Sequence, residues 1–97
     1  MYNTFEDLKT ACDAELIRLG FTKVDDNTMR KVRVQQHQMI VNGQSIFREE
    51  KIYVDIICLG EGFVDKDVSI GYTFKMNNHE MIDHWFTDPE DLRMINF

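Results

Sequence analysis

The sequence predicts an α+β domain in which an N-terminal helix packs on an antiparallel β-meander. The expected order is α-β-β-β-β-α, with the first hairpin drawn out into a long protruding arm. Three observations carry this reading. Thr28 to Val41 and Ser45 to Leu59 are strand-like runs without proline or glycine, and Asn42-Gly43 lies between them. Asn-Gly is the strongest short-range hairpin signal, because a tight type I′ turn needs positive φ at both central positions. Phe5, Leu8, Cys12, Leu16 and Leu19 recur at helical spacing, which gathers them on one stripe. Val68, Ile70, Tyr72, Phe74 and Met76 alternate with Ser69, Gly71, Thr73 and Lys75, the period of a strand with one buried face.

The helix has start and stop signals. Thr4 with Asp7 three residues later resembles a capping box. Gly20 stands where a C′ glycine belongs, and Phe21 can then fold back on Leu16. Glu6, Lys9, Asp13 and Arg18 take the wet side, and that side lacks the basic excess of a membrane-binding helix. Asp25-Asp26-Asn27 reads as a turn into the hairpin.

Matching opposed side chains in character selects a hairpin register. It sets Val32 against Val54, Val34 against Ile52 and Ile40 against Ile46 on one face. Lys31/Asp55, His37/Glu49 and Met39/Phe47 then meet on the other. This register requires a three-residue connection or a bulge beside the turn. A strict two-residue turn would oppose Val34 to Lys51 and Arg33 to Ile52, a poorer match. At about 3.3 Å per residue the ribbon reaches roughly 40 Å, which outruns the core of a 97-residue chain. Its tip, Met39, Ile40, Val41, Ile46 and Phe47, is apolar on both faces, and an apolar tip on an arm implies a partner.

Gly60-Glu61-Gly62 and Asp65-Lys66-Asp67 read as a loop. The segment has neither EF-hand spacing nor the Lys-Ser/Thr of a phosphate-binding loop. Residues 79–86 fit two readings. As a strand after an Asn77-Asn78 turn, they set Lys75 against Glu80, Phe74 against Met81 and Ile70 against Trp85. As a helix, they collect Met81, Ile82, Trp85 and Phe86 on one side. The charge and apolar pairings favour the strand. Asp88, Pro89, Glu90 and Asp91 then open a short terminal helix docked by Leu92, Ile95 and Phe97.

Length and composition bound the function. The 97 residues suit a single domain, and 43% apolar content marks a globular chain. No apolar run approaches the ~18 residues of a membrane span, and the N-terminus does not read as a signal peptide. A cytoplasmic protein is expected. The net charge is −6, and residues 59–97 hold eight acids against Lys66, Lys75 and Arg93. That field disfavours nucleic acid. Cys12 and Cys58 occupy apolar positions and read as buried, reduced thiols, too few for a structural zinc.

His79, Glu80, Asp83 and His84 look like a site, but the histidines are five apart where a metalloprotease helix needs four. Ser45 and Ser69 have no evident base. No catalytic residue, metal or cofactor is expected. The sequence therefore reads as a small, acidic, non-catalytic interaction protein. It would dimerise through Met39, Ile40, Val41, Ile46 and Phe47. It would present an acidic surface of Asp83, Asp88, Glu90 and Asp91 to a basic protein partner. Short acidic inhibitors and accessory proteins of phages and mobile elements are the class-level analogy. The alternative is a small-ligand binder with a pocket between helix and sheet near Tyr72, Trp85 and Asp83.

Overall fold

In the computed structural model, which describes residues 2–95 apart from the side chain at 81, the chain is α+β with an antiparallel sheet. A helix, α1 (Phe5–Arg18), precedes five strands: β1 (Thr22–Asp25), β2 (Thr28–Val41), β3 (Gln44–Val64), β4 (Asp67–Met76) and β5 (His79–Phe86). The strands follow one another across the sheet in chain order. A 3₁₀ helix, Pro89–Met94, comes last, where an α-helix was expected. Phe97, expected to dock it, lies outside the described residues.

Both ends of α1 follow from its sequence. Thr4 Oγ1 accepts from the Asp7 backbone N–H at 3.2 Å, satisfying a donor that the helix leaves free. Gly20 takes φ +98°, and the backbone N–H groups of Gly20 and Phe21 donate to Ile17 and Leu16. That wrap folds Phe21 into the core. Leu8, Cys12 and Leu16 are buried in one cluster with Met29, Val54, Ile56, Ile70, Tyr72 and Phe86. The helix thus covers one face of the sheet.

The expected hairpin register is wrong by one. Val41 pairs with Gln44, Val34 with Lys51 and Arg33 with Ile52. The connection is the strict two-residue turn, with Asn42 at φ 51° and Gly43 at φ 76°. This turn matches the natural strand twist, and the side chains adapt to it. Met29 enters the core with Ile52, Val54 and Ile56, while Val32 and Val34 join Tyr53 on the helix-free face. Lys31 takes a core-side position by snorkelling: its ammonium crosses the Phe21 ring and donates to the Leu19 carbonyl at 3.0 Å. Asp55 pairs with Arg30, not Lys31, through bonds of 2.7 and 3.1 Å.

Three further expectations are corrected. β1 pairs Thr22 with Arg30 and Lys23 with Met29, where the sequence showed only a turn; its four residues are all exposed and carry no burial pattern to read. The Gly60-Glu61-Gly62 loop is instead the end of β3, which runs through a bulge between Cys58 and Gly60, Gly60 taking φ +130°. Residues 79–86 are a strand and Lys75 does face Glu80, but a register shift puts Phe74 opposite Ile82 and Ile70 opposite Phe86. Phe86, rather than Trp85, therefore enters the core.

The long hairpin sets the overall shape. β3 pairs with β4 only from Val54 onward, and β1 covers β2 only to Arg30. Between those limits the ribbon has no third strand. The molecule measures 61 × 22 × 21 Å with a radius of gyration of 16.9 Å. A compact chain of this length would have about 12–13 Å.

The 3₁₀ helix is tied back to α1 by charge. Glu15 is 3% exposed, and Arg93 grips it through Nε at 2.5 Å and Nη2 at 3.3 Å. Arg18 adds a contact of 2.9 Å. The Arg93 hydrogen bond, helped by Arg18, holds the Glu15 carboxyl below its ordinary value of 4.5 despite burial. A lowered folded value means this stabilisation is present above pH 4.5 and lost as the pH falls through the folded value. Urea unfolding of wild type and Glu15→Gln should show the wild type more stable at pH 7, with the gap narrowing as the pH falls below 4.5. A gap that stays constant would remove Glu15 from the acid response.

Candidate interaction surface

The arm is built by alternation along two strands. Residues paired across an antiparallel ladder share a face. Ile40 and Phe47 therefore lie on the helix-free face, paired with Ser45 and Gln38, while Met39, Val41 and Ile46 lie on the opposite one. All five are exposed, Ile40 at 76% and Phe47 at 68%. The structure thus brings the five expected tip residues together and leaves both faces of the tip apolar. No charge interrupts residues 39–47. Mid-arm contacts stay within the ribbon: His37 Nε2 lies 2.8 Å from Glu50 Oε2, and Gln38 Nε2 donates to Ser45 Oγ at 3.1 Å. The partner expected for His37 was Glu49; the one-residue shift puts Glu49 on the other face.

The second element of the surface is the helix-free side of the sheet. Val32, Val34 and Tyr53 are exposed there, with Arg30 stacked 5.6 Å from the Tyr53 ring centroid. Trp85 lies flat across it at 48% exposure. A Cβ on Gly71 would come within 2.7 Å of the indole and one on Gly62 within 2.5 Å. Two glycines on adjacent strands thus form a slot that seats the only tryptophan of the chain. Gly71 on the outward face permits a close approach, but the sequence alone names neither Gly62 nor Trp85 as the partner. The slot's signal was a glycine at an outward strand position, where a side chain would ordinarily stand.

The four acidic residues do not form one surface. Asp83 is on the helix-free face, accepting from Thr73 Oγ1. Asp88 caps the 3₁₀ helix by accepting from the Glu90 backbone N–H at 3.0 Å. Glu90 and Asp91 are exposed in its first turn, beside α1 on the other side of the sheet. Asp67, Asp88 and Glu90 line an open cleft of about 360 Å³ with Tyr2 and Thr87. The residues named for a ligand pocket are also parted: Tyr72 is 1% exposed in the helix-side core, and Trp85 and Asp83 lie across the sheet from it.

Among the described residues no group of three or more His, Cys, Asp or Glu is placed to hold a metal ion. His84 faces the helix side of β5, its ring 5.8 Å from Phe74 and 5.9 Å from Phe86. No described helix is long and apolar enough to cross a membrane. No protein-family model matches the chain, and no curated protein or solved structure shows significant similarity to it.

Both cysteines are free. Cys12 is buried against Tyr72, and desolvation pushes its thiol up to about 12. Cys58 is only half-buried, a departure from the expectation of two core thiols, and burial raises it too. The thiolate is the reactive form. At pH 8 a soluble disulfide reagent should therefore label Cys58 at least tenfold faster than Cys12, and both rapidly in denaturant. Equal, fast labelling of the native protein would contradict this placement.

Proposed function

We propose that the protein is a non-catalytic interaction protein that works as a homodimer, with the arm as its contact element. The observation that supports this is the free ribbon with an apolar tip. A two-stranded hairpin standing alone in water is marginal. This one also leaves both edges open, which templates pairing with another chain. Exposed Ile40, Phe47, Met39 and Ile46 add an apolar patch of the kind that marks an interface. The acid-rich body, with its cleft at Asp67, Asp88 and Glu90, is the part this reading gives to a basic protein partner, as in small inhibitory proteins.

Magnitudes limit what the tip does alone. Burying one Ile or Phe side chain returns roughly 1.5–3 kcal/mol. Two such residues from each of two copies give roughly 6–12 kcal/mol, against an association cost of about 4–15 kcal/mol. Tip contacts by themselves therefore support a weak dimer, and a stable one needs more surface.

Light scattering tests the reading. At tens of micromolar the wild type should show twice the chain mass of 11.5 kDa. Ile40→Asp/Phe47→Asp should show the chain mass, with unchanged far-ultraviolet circular dichroism. A monomeric wild type at that concentration would refute the proposal.

A further inference from the structure

We infer that two copies pair through their helix-free sheet faces, antiparallel about a two-fold axis, so that each arm lies along the other's body and its tip covers Trp85. This rests on the reading that the arm self-associates, and adds where it docks.

Four observations converge on this arrangement. The helix-free face is continuous from body to tip, since Val32, Val34 and Ile40 alternate onto the same side of β2, with Tyr53 and Phe47 on β3. It is also the more open side of the tip: Ile40 and Phe47 are 76% and 68% exposed, against 45% for Met39 and 47% for Ile46.

The lengths match. From Val34 to Asn42 the ribbon extends about 30 Å at 3.3 Å per residue. The whole molecule is 61 Å long, so arm and body are nearly equal. An antiparallel two-fold then sets each arm against a body of its own length. It closes after two copies, because an isologous contact uses the same patch twice.

Charge fits the same symmetry. A two-fold contact requires that when one residue meets another, the reverse meeting also occurs. Lys51 and Tyr53 sit two residues apart on this face, opposite Val34 and Val32, midway along β3 between the tip and Gly60, the level of Trp85. Near the axis, Lys51 of each copy can lie over the Tyr53 ring of the other, and Lys51 need not meet Lys51.

Trp85 supplies the seat. Gly62 and Gly71 hold the indole flat on the sheet, yet half of it faces outward. Tyr53, with Arg30 stacked on its ring, lies further along the same face toward the arm. Trp, Tyr and Arg are the residues that most often carry interface energy, and an immobilised side chain loses little entropy on contact. A stack of two such faces, about 10 Å apart, is an ordinary sheet-on-sheet packing. It supplies the surface that the tip alone lacks.

The test is directed cross-linking. Ile40→Cys and Asp83→Cys, Asp83 being two residues from Trp85 on the same face, are each placed in a Cys58→Ser chain. The two variants carry tags of different mass. Mixed at tens of micromolar under mild oxidation, they should form the mixed disulfide at least tenfold faster than either variant dimerises alone. Light scattering on the same samples separates the two levels of the account. A dimer that yields only the Ile40→Cys homodimer disulfide, or none, would overturn the docking site and leave arm-mediated association standing. Samples that scatter as single chains would overturn both.

Discussion

The two-residue turn at Asn42-Gly43 is the constraint on which the rest of the structure depends. With both residues at positive φ, the turn imposes a right-handed twist that suits the ribbon. It thereby decides, thirteen residues away on β2, that Met29 faces the helix. Because side chains alternate, a slip of one residue would exchange the faces of one strand against the other. Matched cross-strand pairs are worth only about 0.2–1 kcal/mol each, and the observed register forgoes several of them. What the observed register buries on β2 is Met29, in one cluster with Ile52, Val54 and Ile56 and with Leu8, Cys12 and Leu16 of the helix, at roughly 1.5–3 kcal/mol per side chain. Lys31 gives up its expected pairing with Asp55, and its ammonium neutralises a helix C-terminal carbonyl instead.

The same register produces the surface. Val32, Val34 and Tyr53 are left on the uncovered face because their neighbours in the chain are inside. β3 serves two ladders in succession: up to Ile57 it pairs with β2, and from Val54 to its end with β4. One 21-residue strand thus builds both the arm and the body. The bulge at Cys58–Gly60 changes the pairing with β4 so that Gly60 and Gly62 fall opposite Gly71 and Ser69. That shift leaves a lane without side chains, which Trp85 fills. Core, arm and aromatic seat are consequences of one strand held in one register.

Much of this was legible in the chain. The helix, with Thr4 and Gly20 at its ends, was readable because its signals are local. So were the place of the hairpin turn, the alternation of β4 and the strand at 79–86. The apolar tip was readable because it depends on residue type alone: Met39, Ile40, Val41, Ile46 and Phe47 are exposed and apolar in either register. Register itself was not readable from pairing preference, since the turn overrode it. β1 was hidden by its four exposed residues. The Gly60–Gly62 segment looked like a loop because a glycine bulge and a turn share a composition. Glu15 and Arg93 are 78 positions apart, and nothing local announces their ion pair. The acidic residues 83–91 are near in sequence but divide between the two faces of the sheet, because β5 alternates and the 3₁₀ helix turns back toward α1.

In the proposed homodimer the arm would be held by a second copy. Hydrogen exchange of the backbone amides tests it most directly, because a lone ribbon opens easily while the body is held by its own core. The account predicts that amides of residues 34–51 gain at least tenfold protection as concentration rises from about one to a few hundred micromolar, while those of β4 do not change. Arm amides whose protection is the same at every concentration would contradict it.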